Sequence, residues 1–553
     1  MIKQSLFCLA LASLLWNCAS QSSPTGGPKD ERAPKLERSF PSMNQRNFKA
    51  ESVELEFDEA IILFNPKDEI LISPAVGKDV EFKYRQNRVT ITPKQGWADT
   101  TTYSILFREG IKDLNEGNVP PGLRLAFSTG PSIDSLSISG QLKFALIEDL
   151  PTDVTVAVFK SDTFNIFEHS PSYLTKSDAN GKYKIENLRA GRYFVYAFAD
   201  KNKNLKVEST TEKYGYYPDP VLLFEAKDSI DITLFALDAR PLNMQSVRRT
   251  PVTTRLRFNK PVNNYRLTAS QKITHSFGDD RQEIAIYNPS NNPDSLAVRI
   301  EAIDSLQQRV DSTIYLKTVD ARSIKSAFNV QVIKPYYDYS QRSLYQEISM
   351  SLPLGHINYD SCSIIIDTLT TLHFTPEEAK LDSTRKILTI KKTIHPDSLF
   401  RTSAPISIML KKGFLISIEQ DTSKAVTNSI SPVKEENTGT LLVEVQTPYK
   451  NFEVQLLDNT NAVIRTERNL RNFSFRFLQP TTYKLRLLVD LNDNGIWDTG
   501  NPLNWTPPEP TIYYISPDKK FTFPIRANWE LGPYLLKYQP DVDNSPNQRE
   551  KSQ

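Results

Sequence analysis

The chain has few cysteines and, beyond its start, no long apolar segment. Its three cysteines are Cys8, Cys18 and Cys362. If Cys8 is removed with an N-terminal leader and Cys18 is modified, Cys362 is left without a partner, so we expect no intramolecular disulfide in the mature chain. No later segment approaches about 18 consecutive apolar residues, so the sequence predicts no transmembrane helix.

The sequence also lacks a large net charge and the common catalytic motifs. The 67 Lys and Arg residues nearly balance the 65 Asp and Glu residues, which argues against nucleic acid as a partner. The five histidines are scattered without metal-ligand spacing, and no G-x-S-x-G, P-loop or Rossmann fingerprint is present. We therefore expect a protein that is not an enzyme and has no catalytic residues.

The first 17 residues are typical of a signal peptide. Lys3 precedes an apolar run over residues 6–16, whose length suits the central region of such a peptide. Leu15-Trp16-Asn17-Cys18 resembles a bacterial lipobox, which implies acylation of Cys18. Acyl chains hold a protein on a membrane, so we expect a lipid-anchored outer-membrane protein, facing either the periplasm or the cell surface. An ordinary secretory signal cut near Ala19 is the alternative.

The rest of the sequence predicts a series of β domains. Residues 18–29 are small and polar, as in a flexible tether. Apolar and polar residues alternate over 52–57, 80–84 and 88–92, and such short strands between turns favour sandwiches. We predict an all-β fold of tandem antiparallel β-sandwiches. The predicted units are 30–130, 131–239, 240–335, 336–435 and 436–538, followed by a disordered tail over 539–553.

Several short segments of the first unit carry a family resemblance. They are Ala33-Pro34-Lys35-Leu36, the strand over 54–59, Thr102-Tyr103-Ser104-Ile105, the segment 110–113 and Phe127-Ser128-Thr129-Gly130. Together they resemble the bacterial Ig-like domain of the S-layer protein type, and weaker echoes in 336–435 suggest a second Ig-like unit. We expect Tyr103 to lie in the core, and the alternative is that it caps a loop by a hydrogen bond. The residue types from Asp113 to Asn118 predict a turn.

The second and fifth units share a repeated pattern. Gly181 to Ile185 and Gly191 to Val195 resemble the small prealbumin-like or carboxypeptidase-regulatory-like β-sandwich. Five residues of the second unit recur at one constant offset, which indicates a duplicated domain. The matched residues are Leu188, Tyr193, Asp200, Asn202 and Asn204, and then Leu478, Tyr483, Asp490, Asn492 and Asn494.

The later copy contains a candidate calcium loop. Asp490, Asn492, Asn494 and Asp498 carry side-chain oxygens at positions 1, 3, 5 and 9, and Gly495 stands at position 6, where calcium loops turn sharply. Position 12 lacks the usual glutamate, and Glu509 could complete the shell. The alternative is a turn rich in Asp and Asn. The earlier copy, with Asp200, Asn202, Asn204 and Glu208 but Leu205 in place of glycine, is a weaker candidate.

These features resemble the Ig-like-domain lipoproteins of the Bacteroidota. The resemblance implies a non-enzymatic scaffold or protein-binding subunit in the cell envelope, and one version is an accessory of an outer-membrane protein assembly or export machine. Its partner would be a β-barrel or another lipoprotein. The alternative is a carbohydrate-binding surface lipoprotein, with stacking platforms provided by Trp97, Trp497, Trp505, Trp529 and the cluster Tyr214-Gly215-Tyr216-Tyr217.

Overall fold

The computed structural model describes residues 30–77, 79–146, 151–160, 164–288, 296–316, 327–333, 335–338, 343–365, 371–394, 406–430 and 435–540. The predicted signal peptide, Cys18, the tether and most of the predicted tail lie outside these ranges. Strands make up almost all of the regular secondary structure in the described chain, which confirms the predicted fold class. One short helix, α1 (Pro66–Glu69), and 3-10 turns at Tyr359–Ser361, Pro376–Glu378 and Glu435–Asn437 accompany the strands.

The first sandwich is built from strands with alternating apolar residues. Its strands are β1 (Leu36–Phe40), β2 (Val53–Phe57), β3 (Ile61–Leu63), β4 (Leu71–Ser73), β5 (Val80–Arg85), β6 (Arg88–Pro93), β7 (Thr102–Leu106), β8 (Ile111–Asp113) and β9 (Arg124–Ser128). The sheets have the orders β1-β2-β6-β5, β4-β7-β9 and β3-β8. Val53, Leu55 and Phe57 are buried on one face of β2, as the alternation predicts. Tyr103 is 2% exposed, and its hydroxyl accepts the N–H of Ala98 at 2.8 Å.

The second and fifth sandwiches share one topology. The second contains β10 (Leu136–Phe144), β11 (Thr155–Phe159), β12 (Tyr173–Lys176), β13 (Lys182–Leu188), β14 (Gly191–Phe198), β15 (Tyr214–Tyr216), β16 (Val221–Leu223) and β17 (Ile232–Leu234). The fifth contains β36 (Gly439–Gln446), β37 (Phe452–Leu457), β38 (Val463–Arg468), β39 (Asn472–Leu478), β40 (Thr482–Val489), β41 (Thr511–Tyr513), β42 (Thr522–Pro524) and β43 (Glu530–Lys537). The sheet orders β13-β10-β17 and β12-β11-β14-β15 in one correspond to β39-β36-β43 and β38-β37-β40-β41 in the other.

Details of the two copies agree as well. The hydroxyl of Tyr193 donates to the carbonyl of Arg189 at 2.7 Å, and that of Tyr483 donates to the carbonyl of Gln479 at 3.0 Å. In both copies the first and last strands are parallel, β10 with β17 and β36 with β43, whereas we predicted antiparallel sheets. A parallel pair requires a long connection, and here the whole intervening sandwich provides it.

The third and fourth sandwiches lie between the two copies. The third contains β18 (Met244–Arg249), β19 (Thr253–Phe258), β20 (Asn264–Ala269), β21 (Thr274–Phe277), β22 (Glu283–Tyr287), β23 (Leu296–Ile303) and β24 (Arg309–Leu316), with the sheets β18-β19-β22-β21 and β20-β23-β24. The fourth contains β25 (Val330–Val332), β26 (Tyr336–Asp338), β27 (Ser343–Met350), β28 (Leu354–Ile357), β29 (Cys362–Ile365), β30 (Thr371–His373), β31 (Ala379–Leu381), β32 (Ile387–Thr393), β33 (Ile406–Leu410), β34 (Leu415–Ser417) and β35 (Val426–Ile430). Its main sheets are β25-β27-β32-β31 and β30-β29-β33-β35.

Each sandwich has its own apolar core, and specific contacts join the sandwiches. Between the first and second, the hydroxyl of Ser73 donates to the carbonyl of Leu174 at 3.0 Å. Between the third and fourth, the N–H of Phe277 donates to the carbonyl of Ser383 at 2.9 Å. Phe477 of the fifth packs against the core of the fourth. The sandwiches therefore pack against one another rather than being joined by chain alone.

Candidate functional site

Two acidic loops occupy equivalent places in the second and fifth sandwiches. The first acidic loop, residues 199–213, joins β14 to β15, and the second acidic loop, residues 490–510, joins β40 to β41. Each loop leaves the end of a strand that is largely buried. The shared topology therefore places the repeated Asp and Asn residues at the same end of both sandwiches.

Two buried carboxylates organise the second acidic loop. Asp490 is 4% exposed and accepts the backbone N–H of Gly495 at 2.7 Å. Glu509 is 6% exposed and accepts the backbone N–H groups of Leu491 at 2.7 Å and Asp498 at 2.9 Å. Glu509, which the sequence suggests as the last of the candidate calcium ligands, therefore lies against the start of the loop.

The two asparagines complete the hydrogen bonding of this loop. The side-chain N–H₂ groups of Asn492 and Asn494 donate to the carboxylate of Asp498 at 2.7 and 2.8 Å. Their side-chain oxygens accept the backbone N–H groups of Asn494 at 3.0 Å and Ile496 at 2.9 Å. The four predicted ligands are therefore neighbours, but the asparagine nitrogens, not the oxygens, face Asp498.

The first acidic loop repeats this arrangement. The corresponding residues are Asp200, Asn202, Asn204, Glu208 and Glu212 in the first loop, and Asp490, Asn492, Asn494, Asp498 and Glu509 in the second. Glu212 is 2% exposed and accepts the N–H groups of Lys201 and Glu208, both at 2.9 Å. Sequence reasoning missed Glu212, because the spacing between the first aspartate and the closing glutamate differs between the loops.

One backbone position distinguishes the two loops. Gly495 has φ +84°, a conformation that glycine adopts without strain, and Leu205 has φ 61° at the equivalent position. A leucine with positive φ is strained by about 1 to 2 kcal/mol. The first acidic loop keeps the shape of the second in spite of this cost.

Burial and repulsion from neighbouring carboxylates raise the pKa values of Glu509 and Glu212. Burial raises the pKa of Glu509, and the nearby Asp498 and Asp490 raise it further, against backbone N–H groups that lower it. Burial likewise raises the pKa of Glu212, with Asp200 and Glu208 adding to the effect. A bound cation would relieve this repulsion, and protonation would relieve it too.

The loops have two possible chemical roles. Calcium prefers carboxylate and carbonyl oxygens, so binding to the second loop would require Asn492 and Asn494 to turn their oxygens toward Asp498. Within the described ranges, no three His, Cys, Asp or Glu side chains are grouped closely enough to hold a metal ion. As they stand, the loops are hydrogen-bonded turns, and calcium binding stays a prediction.

The aromatic residues predicted as sugar platforms differ in their exposure, and two of the tyrosines are buried. Tyr214 and Tyr216 are 0% and 3% exposed. Trp97 packs edge-on against Tyr103 at a ring-centroid distance of 4.9 Å. The prediction of stacking platforms is therefore wrong for these two tyrosines, because neighbouring aromatic and aliphatic side chains cover them and leave no face for a sugar. Trp529 is 47% exposed.

Trp505 lies in a seam between the second and fifth sandwiches. Its ring contacts those of Tyr196 at 5.1 Å and Tyr216 at 5.2 Å between centroids. The hydroxyl of Tyr216 donates to the carbonyl of Thr506 at 2.6 Å. Because Trp505 and Thr506 belong to the second acidic loop, this loop is also the part of the fifth sandwich that docks on the second.

The predicted membrane attachment falls outside the structure. Cys18 lies outside the described residues, so its acylation stays a prediction. Among the described residues, no helix has the length and apolar character needed to cross a bilayer.

A family match supports the resemblance in the first unit. Residues 30–129 match the bacterial Ig-like domain family, so the chain contains a bacterial Ig-like domain. The match covers less than half of the chain and describes this unit alone. No curated protein matches the sequence.

Solved structures with similar parts come from several proteins. Latent PorU from Porphyromonas gingivalis is 9% identical with a TM-score of 0.21, over 48% of this chain and 34% of PorU. The surface layer protein SbsC, domains 1–6, is 11% identical with a TM-score of 0.14, over 84% of this chain and 64% of SbsC. The major pilin subunit BcpA of Bacillus cereus is 9% identical with a TM-score of 0.12, over 74% of this chain and 99% of BcpA. The chain spans about a third of PorU and under two thirds of the SbsC fragment, and scores this low establish no shared overall arrangement.

Proposed function

We propose that this protein is an outer-membrane lipoprotein, anchored through Cys18, that acts as a non-enzymatic scaffold or protein-binding subunit in the cell envelope. The observation that carries the proposal is the contact between non-neighbouring sandwiches. The second and fifth sandwiches meet through Trp505, and the hydroxyl of Tyr513 donates to the carbonyl of Leu146 at 2.8 Å. A chain that closes on itself in this way holds its surfaces at fixed relative positions, which suits a scaffold.

The two copies supply different surfaces to this contact. The outer face of β14 carries Phe194 and Tyr196, whereas the equivalent face of β40 carries Lys484 and Arg486, both less than a tenth exposed. The guanidinium of Arg486 is held by the side-chain oxygen of Gln455 at 2.7 Å. Such divergence supports a fixed role for each copy within one assembly.

The anchor is tested by substituting Cys18. The Cys18→Ala variant should leave the membrane fraction, because the acyl chains would supply the free energy of membrane binding. The control Cys362→Ala removes a cysteine that is buried in the fourth sandwich and should stay with the membrane. Retention of Cys18→Ala in salt-washed outer membranes would contradict the proposed anchor.

The scaffold role is tested by isolating partners. A tagged wild-type chain, solubilised in mild detergent, should co-purify with a β-barrel protein or another lipoprotein. If the protein is an accessory of an assembly or export machine, the co-purified partner should be a β-barrel component of that machine. Glycan binding without any protein partner would favour the carbohydrate alternative instead. In that case the exposed Trp529 is the residue to test, since loss of Trp505 would also disturb the seam.

A further inference from the structure

A cavity of about 470 Å³ lies between the first and second sandwiches. The first sandwich forms one wall with α1, β4, β5 and the segment that joins β4 to β5. The second sandwich forms the other wall with β11, β12 and the first acidic loop. Cavities of this size are typical of small-molecule sites, which occur preferentially between domains. The position and size of the cavity therefore point to a ligand.

Most of the cavity surface is apolar. Its apolar lining includes Ile70, Ile72, Val80, Phe82, Leu174 and Leu205. These side chains come from both sandwiches, so an apolar molecule in the cavity would contact both walls. Removing such a molecule from water would supply most of its binding free energy.

Thr155 and Lys176 form a polar pair in the wall. They are direct partners in the antiparallel pairing of β11 with β12, so their side chains share one face of the sheet. Thr155 is 1% exposed, and among the described residues its hydroxyl has no hydrogen-bond partner. Valine would fill the same space without an unpaired buried hydroxyl. The threonine is therefore better explained by a ligand than by packing.

The charges around the cavity favour an anion. The lining contains Lys67, Lys176 and Lys203 against Asp68 and Asp200. Lys203 is paired with Asp68 at 2.6 Å, and the negative charge of Asp200 is partly offset by backbone N–H groups of its own loop and by the nearby Lys176. Lys67 makes no ion pair with any described residue. The ammonium of Lys176 bonds to one carboxylate outside the lining and has further N–H donors to offer.

We propose that this cavity binds an amphiphilic carboxylate, a molecule with an apolar chain and a single anionic head. The chain lies between the apolar residues of the two sandwiches. The carboxylate head accepts hydrogen bonds from the hydroxyl of Thr155 and the ammonium of Lys176.

The test uses decanoate below its micelle concentration and the full chain as its Cys18→Ala variant, so that no detergent competes. Isothermal titration calorimetry should show saturable binding. Thr155→Val and Lys176→Met should each weaken binding about tenfold, because each removes a hydrogen bond to a charged group. Ala75→Trp places a large ring at an exposed position of the lining and should abolish binding.

Two controls make the test specific. Lys184→Met removes a lysine that is ion-paired with Glu186 at 2.9 Å in the same sandwich but lies outside the lining, and it should bind decanoate as the parent does. Decyltrimethylammonium has the same chain and the opposite charge, and it should bind at least tenfold more weakly. The proposal is overturned if decanoate does not bind, if Thr155→Val and Ala75→Trp bind it unchanged, or if the cationic amphiphile binds equally well.

Discussion

Single buried carboxylates shape the connections between strands. Asp113, at the end of β8, is 2% exposed and accepts the backbone N–H groups of Asn115, Glu116, Gly117 and Asn118 at 2.6 to 3.0 Å. The sequence predicted a turn over these residues from their composition. The structure adds the reason for its shape, because one carboxylate satisfies four N–H groups.

Replacing Asp113 should destabilise the first sandwich. We expect Asp113→Ala to lower the free energy of unfolding by about 2 kcal/mol, because it removes the buried carboxylate that accepts four backbone N–H groups. Hydrogen exchange of amides in β7 and β9 measures this for the first sandwich alone. The control Asp99→Ala changes a side chain that is 92% exposed and should have an effect below about 0.5 kcal/mol.

The same residue gives a pH dependence. Burial alone would raise the pKa of Asp113, but the four backbone N–H groups together lower it below its usual value. A carboxyl with a lowered folded-state pKa stabilises the protein above its unfolded pKa, and this contribution is lost as the pH falls through the folded-state value. The stability difference between wild type and Asp113→Asn should therefore shrink below about pH 4. A difference that stays constant down to about pH 2 would contradict this assignment.

Substituting Gly495 should show how much the second acidic loop depends on a backbone conformation with positive φ. A Cβ added at this glycine would meet no atom within 4 Å, so Gly495→Ala should cost about 1 kcal/mol through its positive φ alone. Hydrogen exchange of the loop amides should show the loss. Gly191→Ala, at a glycine without positive φ and with ordinary contacts to Tyr193, should be close to neutral.

The positions of many strands and of the two acidic loops could be predicted, because local spacing in the sequence encodes them. Strands such as β2 and β6 follow from alternation, and the constant offset between the two copies located both acidic loops. Glu212 was missed because it depends on the length of a connection, not on a local pattern. The parallel pairs β10–β17 and β36–β43 were missed because they join the two ends of a sandwich.

Calcium binding by the second acidic loop is tested directly. If Asp490, Asn492, Asn494 and Asp498 form a site, equilibrium dialysis should show an ion bound to the loop. At about 10 mM calcium and a Kd near ~1 mM, binding would stabilise the fifth sandwich by about 1.4 kcal/mol.

A matched pair of variants makes this test specific. Asp490→Ala should abolish the binding. Asp458→Ala removes a turn aspartate of the same sandwich, which accepts the N–H of Thr460 at 2.8 Å, and should leave binding unchanged. Equal binding by parent and Asp490→Ala would leave both loops as hydrogen-bonded turns.

At the scale of the whole molecule, the seam between the second and fifth sandwiches is what the sequence could not predict. Trp505 and its partners Tyr196 and Tyr216 are separated in sequence by the whole of the third and fourth sandwiches. From the sequence, Trp505 and Tyr216 are candidates for a sugar platform, although core packing explains most such aromatic residues in sandwiches. Only the folded chain shows that these rings cover one another, because their pairing depends on how five sandwiches pack together.

Trp505→Ala should open this seam without unfolding the sandwiches. The ring contacts both Tyr196 and Tyr216, and loss of a packed tryptophan typically costs about 3 kcal/mol or more. The hydrogen bonds of Tyr216 to Thr506 and of Tyr513 to Leu146 would then remain, together with the packing of Trp497. Small-angle scattering should show a larger radius of gyration, and hydrogen exchange should rise in β14 and β15 while the core of the fifth sandwich stays protected.

The control Trp529→Ala, at a tryptophan that is 47% exposed, should change neither measurement. A Trp505→Ala chain as compact as the parent would mean that the remaining contacts suffice, and the rigid scaffold would not depend on this ring.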